Sequence, residues 1–206
     1  MPGYTTLSAP AAAELEVKRS RFLAFLEPVG SEEAARAVIA RMRSAHPRAR
    51  HHCTAFVLGS GQSLQRTNDD GEPSGTAGAP MLDALLAAGL SDVVAVVVRY
   101  FGGVLLGAAG LTRAYRGAVA EAIAVAPLRE LELRQRYVVT AGYAEVAAIE
   151  AEARRRRWTV SLDYAGKPSI DVAVPEAEVG TLLARVAEVT AGRAAPTSLG
   201  EVWVDR

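Results

Sequence analysis

The sequence is poor in cysteine, lysine and aromatic residues, and each scarcity narrows what the chain can be. A single cysteine, Cys53, in 206 residues has no partner for an internal disulfide and predicts a reducing, intracellular setting. Lysine occurs only at Lys18 and Lys167, so almost all the positive charge is arginine. Basic and acidic residues number 23 each. That balance argues against a protein that neutralises nucleic-acid phosphates over its whole surface, but it leaves room for a local basic patch. No apolar run reaches the roughly 18 residues a membrane helix needs. Met1-Pro2-Gly3-Tyr4 lacks the charged-then-apolar opening of a secretory signal. The expectation is a soluble cytoplasmic protein with no membrane partner.

Half of the residues are apolar, enough to bury one large core or two small ones. The texture changes near residue 130: unusual local motifs lie before it, and plain alternation of strands and helices follows. The reading is an α+β protein of two domains, 1–130 and 131–206, joined around Ala126–Leu131. In the second part, Arg136–Ala141 alternates as a strand, Tyr143–Arg157 repeats as a helix, and Trp158–Ala165 and Ser169–Val174 are strands across a Gly-Lys-Pro turn. A helix opening at Pro175-Glu176 and a strand at Leu199–Val204 complete a β-α-β-β-α-β order, the ferredoxin-like arrangement. The aromatic stacking pattern of an RNA-recognition sheet is lacking there.

In the first part, Ser20–Pro28 and His52–Gly59 read as strands. A helix capped by Ser31 runs to about His46, before Pro47. Val93–Tyr100 is apolar on both faces up to Arg99, as a central buried strand would be. Helices are expected from about Thr76–Pro80 and over Gly107–Ala124.

Three segments carry the candidate chemistry. In Asn68-Asp69-Asp70-Gly71-Glu72-Pro73-Ser74-Gly75-Thr76-Ala77-Gly78, three carboxylates precede glycines and hydroxyls that lead into a helix. Clustered carboxylates need a cation, an arginine or a shared proton between them, and a helix start offers N–H groups to an anion. Asp69, Asp70, Glu72, Ser74 and Thr76 are therefore ligand candidates. A tight turn with a hydroxyl cap on the helix explains the same residues. In Arg99-Tyr100-Phe101-Gly102-Gly103, a buried strand ends in an arginine and then turns, through Gly107 and Gly110, into Leu111-Thr112-Arg113-Ala114-Tyr115-Arg116. Strand ends feeding helix starts are where α/β proteins hold ligands. Arg99, Tyr100, Gly102, Gly103, Arg113 and Tyr115 are candidates here. Equally, Arg99 or Arg113 could pair with Asp69 or Asp70 to lock two loops together. In the third segment, His51-His52-Cys53, His51 is a candidate metal ligand beside the carboxylates, and Cys53 reads as a packing residue.

Asp69–Gly78 and Arg99–Gly103, with Lys18-Arg19-Ser20-Arg21-Phe22 and His46-Pro47…His51-His52-Cys53-Thr54-Ala55, resemble the landmarks of the IMPACT (YigZ-like) family in its bacterial two-domain form. The resemblance implies an amino-terminal β-α sandwich similar to the second domain of ribosomal protein S5, as also seen in elongation factor G. It implies a ferredoxin-like carboxy-terminal domain similar to the last domain of elongation factor G. It supplies no catalytic residues. Where the family usually reads Ile-Lys-Leu-Gly-Thr-Gly-Gly-Leu, this chain has Val104-Leu105-Leu106-Gly107-Ala108-Ala109-Gly110-Leu111, which removes one cation and one hydroxyl cap.

Two functions remain open at this point. One is a non-catalytic, translation-associated binding protein that contacts ribosomal RNA, tRNA or a translation protein through a local basic patch, without a cofactor. The other is a metal-assisted hydrolase or phosphoryl-handling enzyme, in which Asp69, Asp70 and Glu72 hold Mg2+ and Arg99 or Arg113 steadies the substrate.

Overall fold

A computed structural model describes residues 3–206; the reading of Met1-Pro2 as a leader-free start lies outside them. The chain is α+β and divides into two compact units, Gly3–Glu130 and Leu131–Arg206. Its described residues form ten strands and five α-helices.

The first unit runs β1 (Tyr4–Leu7), β2 (Ala11–Val17), β3 (Ser20–Pro28), α1 (Glu32–Ala45), β4 (His51–Leu58), β5 (Leu64–Asn68), α2 (Gly78–Ala87), β6 (Val93–Tyr100) and α3 (Ala108–Ala124). Strands β2 to β6 pair antiparallel in the order β2-β3-β6-β4-β5. The valine run makes β6 the central strand. Val93, Ala95 and Val97 enter a core that includes residues of α2 and α3, while Val94, Val96 and Val98 enter the core beneath α1. Each fully buried valine contributes about 1.5–3 kcal/mol, so apolar residues on both faces anchor both helical layers.

The start of α1 follows from its sequence. Ser31 Oγ accepts a hydrogen bond from the Ala34 N–H at 3.2 Å, and Glu32 and Glu33 occupy the positive first turn. Strands β1, β2 and β5 went unpredicted. β2 is partly exposed along its length and β5 is mostly exposed, so neither carries a strong apolar period; pairing with β3 and β4 defines them.

The second unit takes most of β7 (Leu128–Thr140), then α4 (Tyr143–Arg155), β8 (Thr159–Asp163), β9 (Ser169–Val174), α5 (Val179–Thr190) and β10 (Thr197–Asp205). Its strands pair antiparallel in the order β10-β7-β9-β8. Val139, Ile170, Val172 and Val174 pack with Val146 and Ile149 of α4 and Leu182 and Val186 of α5. In place of the loop expected around Ala126–Leu131, β7 begins at Leu128 and runs through the boundary. The arginine run at the end of α4 is largely paired: Arg154 with Glu150, Arg155 with Glu152, and Arg156 with Glu152 and Glu178. No helix among the described residues is long and apolar enough to cross a membrane.

Candidate functional site

Side chains alternate along β6, so Arg99 follows Val97 towards α2 and α3, where it is only 5 % exposed. Its guanidinium carbon lies 5.4 Å from the Phe22 ring centre and 5.6 Å from that of Phe101. Nη1 donates to Glu72 Oε1 at 2.6 Å, and the buried Tyr115 hydroxyl donates to the same oxygen at 2.8 Å. Loop, central strand and α3 therefore meet at one carboxylate. Burial first, then the neighbouring Cys53 and Glu72, push the Tyr115 phenol far above its ordinary range, so it acts as a donor.

The loop before α2 aims Glu72 at this point. Asp70 and Gly71 both have positive φ, 44° and 86°, and the Glu72 N–H donates to the Asp69 carbonyl at 3.0 Å. Positive φ at both central residues is the type I′ pattern, which favours an Asp-Gly pair. The flanking carboxylates diverge. Asp69 accepts from the N–H groups of Gly75 (2.8 Å), Ala77 (3.0 Å) and Gly78 (2.8 Å), and so caps α2 from upstream. Burial alone would raise the Asp69 carboxyl, but these three donors outweigh it and hold it below its usual value. Asp70 accepts from Arg43 Nη2 and from the His52 N–H, each at 2.6 Å. There too, the opposing donors overcome burial and lower the carboxyl.

A cleft of about 300 Å³ opens over the Arg99–Glu72 pair, lined by Arg50, His51, Pro73, Phe101, Leu105, Leu106, Gly107, Ala108 and Leu111 as well as the pair itself. His51 Nδ1 donates to the Asp70 carbonyl at 2.9 Å, and its Nε2 lies 3.9 Å from Glu72 Oε1. The amino end of α3 forms part of the wall. Gly107, at φ 72°, is its N-cap; no side chain caps it, and its first turn holds no acidic residue. Those N–H groups and Arg50 leave the wall receptive to an anion. Phe101 and Leu105 are 45 % and 83 % exposed and give the cleft an apolar lip.

The structure brings Glu72, Arg99, Tyr115 and His51 together. It turns the other candidates elsewhere. The Tyr100 side chain belongs to the α1 face, where its hydroxyl lies 3.0 Å from His46 Nδ1. Thr76 is buried and donates to the Pro73 carbonyl at 2.6 Å, so the expected hydroxyl cap on α2 is replaced by Asp69. Ser74 and Arg113 are exposed and line no part of the cleft. Gly102 serves a close approach: a Cβ there would lie 2.1 Å from the Arg19 carbonyl carbon. Gly103 turns the chain at φ 82°. The expected lock of Arg99 or Arg113 onto Asp69 or Asp70 forms with other partners, Arg99 to Glu72 and Arg43 to Asp70.

The arrangement expected for Mg2+ is not assembled. Asp69, Asp70 and Glu72 point to three separate sets of donors, and among the described residues no group of three or more His, Cys, Asp and Glu is placed to hold a metal ion. Cys53 donates to the Asp69 carbonyl at 3.1 Å, and burial pushes its thiol up to about 12. Arg43, Arg50 and the side chains of Leu105 and Leu106 were missed as site residues, although the turn through Gly107 and Gly110 into Leu111 was marked as a place to hold a ligand. Arg50 sits in a short arginine run that the sequence marks, whereas nothing in the α1 pattern sets Arg43 apart.

Residues 18–123 match the model of the Impact N-terminal domain. The chain is 37 % identical over 195 residues to IMPACT family member YigZ of Escherichia coli (strain K12), covering 93 % of this chain and 96 % of that protein. It is 36 % identical over 191 residues to IMPACT family member YvyE of Bacillus subtilis (strain 168), covering 92 % and 88 %. A crystal structure titled as that of a hypothetical protein superposes with a TM-score of 0.69 at 35 % identity, covering 97 % of this chain and 98 % of that one.

Proposed function

Because this chain belongs to the IMPACT family, we propose that it is a non-catalytic, translation-associated binding protein of the cytoplasm that seats an RNA phosphate in the cleft between β6 and α3. The observation that carries this reading is the convergence of Arg50, Arg99 and the uncapped amino end of α3 on one cleft. A single phosphate suits that convergence, since guanidinium donors and free helix N–H groups both favour oxyanions. Arg48, Arg50, Arg113 and Arg116 are exposed and none has a carboxylate partner among the described residues, so a chain of zero net charge still presents unneutralised cations at its surface.

We read the first unit as similar to the second domain of ribosomal protein S5, and the second as ferredoxin-like, akin to the last domain of elongation factor G. The β10-β7-β9-β8 order and the two helices packed against that sheet support the ferredoxin-like reading. A metal-assisted hydrolase draws no support from the diverging carboxylates.

Filter binding of ribosomal RNA fragments and tRNA at rising salt tests the proposal. Affinity is expected to fall with log salt at a slope of about −0.7 for each phosphate engaged on a single strand. Arg50→Ala is expected to weaken binding and flatten that slope. Absence of RNA binding, or an affinity indifferent to salt, overturns the reading.

A further inference from the structure

Glu72 sets a puzzle for a cleft that takes an anion, because it puts a carboxylate on the floor. Its side chain is 4 % exposed, and only Oε1 is hydrogen-bonded, to Arg99 and Tyr115. Among the described residues, the buried side-chain nitrogens and oxygens with no partner are Arg99 Nε and Arg185 Nε. Glu72 Oε2 has no hydrogen-bond partner in the protein, and Glu72 lines the cleft. Arg99 lines it too. His51 Nε2 stands beside Glu72, 3.9 Å from Oε1. The floor thus offers a charged donor beside a carboxylate acceptor, and the wall offers helix N–H groups and Arg50.

A bare phosphate satisfies the wall and meets repulsion at Oε2. A ligand that satisfies both carries an oxyanion with a hydroxyl donor a few bonds away. The geometry points to a ribose phosphate: the phosphate at the amino end of α3 and Arg50, and a ribose hydroxyl donating to Glu72 Oε2. The same division of labour, phosphate on a helix start and sugar hydroxyl on a carboxylate, operates in dinucleotide-binding α/β proteins. A volume of about 300 Å³ is at the small end of ligand pockets and suits one nucleotide unit, with Phe101 and Leu105 as an apolar surface for its base. In a chain the 3′ oxygen is esterified, so deoxyribose, which lacks the 2′-hydroxyl, leaves the carboxylate without a donor, and the cleft discriminates RNA from DNA. This inference rests on the RNA-binding reading above and adds the sugar to it.

The test uses the intact protein and three single-stranded oligomers of one sequence: RNA, DNA and 2′-O-methyl RNA. Fluorescence anisotropy is read at fixed salt. The RNA is expected to bind at least about tenfold more tightly than either analogue, because a desolvated carboxylate left without its donor weakens binding strongly. Competition with adenosine 5′-monophosphate and its 2′,3′-dideoxy analogue, which has no sugar hydroxyl, separates a free nucleotide from a chain. Displacement by the ribonucleotide alone supports the assignment with a single nucleotide as ligand. Displacement only by oligomeric RNA supports it with a chain as ligand. Glu72→Gln is expected to erase the preference while binding of both sugars persists, and the wild-type oligomer series decides the matter should that variant fail to fold. RNA and DNA bound within twofold of each other, with normal salt dependence, overturn the inference alone. No binding of any oligomer or nucleotide overturns it together with the proposed function.

Discussion

Arg99 Nη1 and Glu72 Oε1 stand 2.6 Å apart with side chains only 6 % and 4 % exposed, so the ion pair that links the central strand to the acidic loop is a buried one. Its position in the fold governs what its removal does. An exposed pair of the same length would contribute well under about 1 kcal/mol, but a buried partner left alone is an uncompensated charge.

Arg99→Met is therefore expected to destabilise the first unit by about 3–5 kcal/mol in urea unfolding. Glu72→Gln, which keeps an acceptor for Arg99 and Tyr115, is expected to cost less. The double variant should recover part of the Arg99→Met loss, because no lone carboxylate remains. Losses that simply add would show that the two residues are not coupled.

Acid should weaken the amino-terminal unit through Asp69 and Asp70. Burial opposes ionisation at both, yet hydrogen bonds from backbone N–H groups, and from Arg43 at Asp70, hold both carboxyls below their ordinary values. The unfolded chain then binds more protons than the folded one as pH falls from about 4. Stability is fully present above that pH and is lost as pH drops through the folded values. Asp69→Asn should flatten this acid limb of a stability–pH curve, and Asp69→Ala should cost about 1.5–3 kcal/mol at neutral pH. An unchanged acid limb in Asp69→Asn would show that this cap carries no linked stability.

The glycine pair after β6 separates two effects. At Gly102 an added Cβ would lie 2.1 Å from the Arg19 carbonyl carbon and 2.4 Å from the Ser20 nitrogen, both backbone atoms that yield only by moving β3. At Gly103 a Cβ meets nothing within 4 Å, and the cost is the positive φ alone. Gly103→Ala should lose about 1–2 kcal/mol, and Gly102→Ala more than about 3 kcal/mol. Melting temperatures of the two variants measure the difference; equal losses would mean that the chain is not tightly apposed at Arg19.

What the sequence made legible followed from strong local signals. The β6 bounds were readable because valines fill both faces, and the start of α1 was readable from Ser31 and two glutamates. The meeting of the acidic bend with the end of the arginine-tipped strand was legible too, since Glu72 and Arg99 do touch. The direction of each carboxylate was not. Asp69, Asp70 and Glu72 are alike on paper, and only the left-handed turn at Asp70-Gly71 sends Glu72 to Arg99 while its neighbours go to α2 and Arg43. Tyr100 shows the same limit: one residue from Arg99, it serves the opposite layer. The edge strands stayed hidden because their identity comes from the neighbours they bond rather than from their own side chains.

That alternation at the end of β6 makes the cleft sensitive to parity. Inserting one residue into β6 ahead of Arg99 would deliver the guanidinium to the layer beneath α1, whereas deleting one would put a phenol where the cation stands. Inserting two would restore the sides while sliding the arginine along the strand. An odd change of chain length within β6 ahead of Arg99 therefore moves the arginine to the other layer.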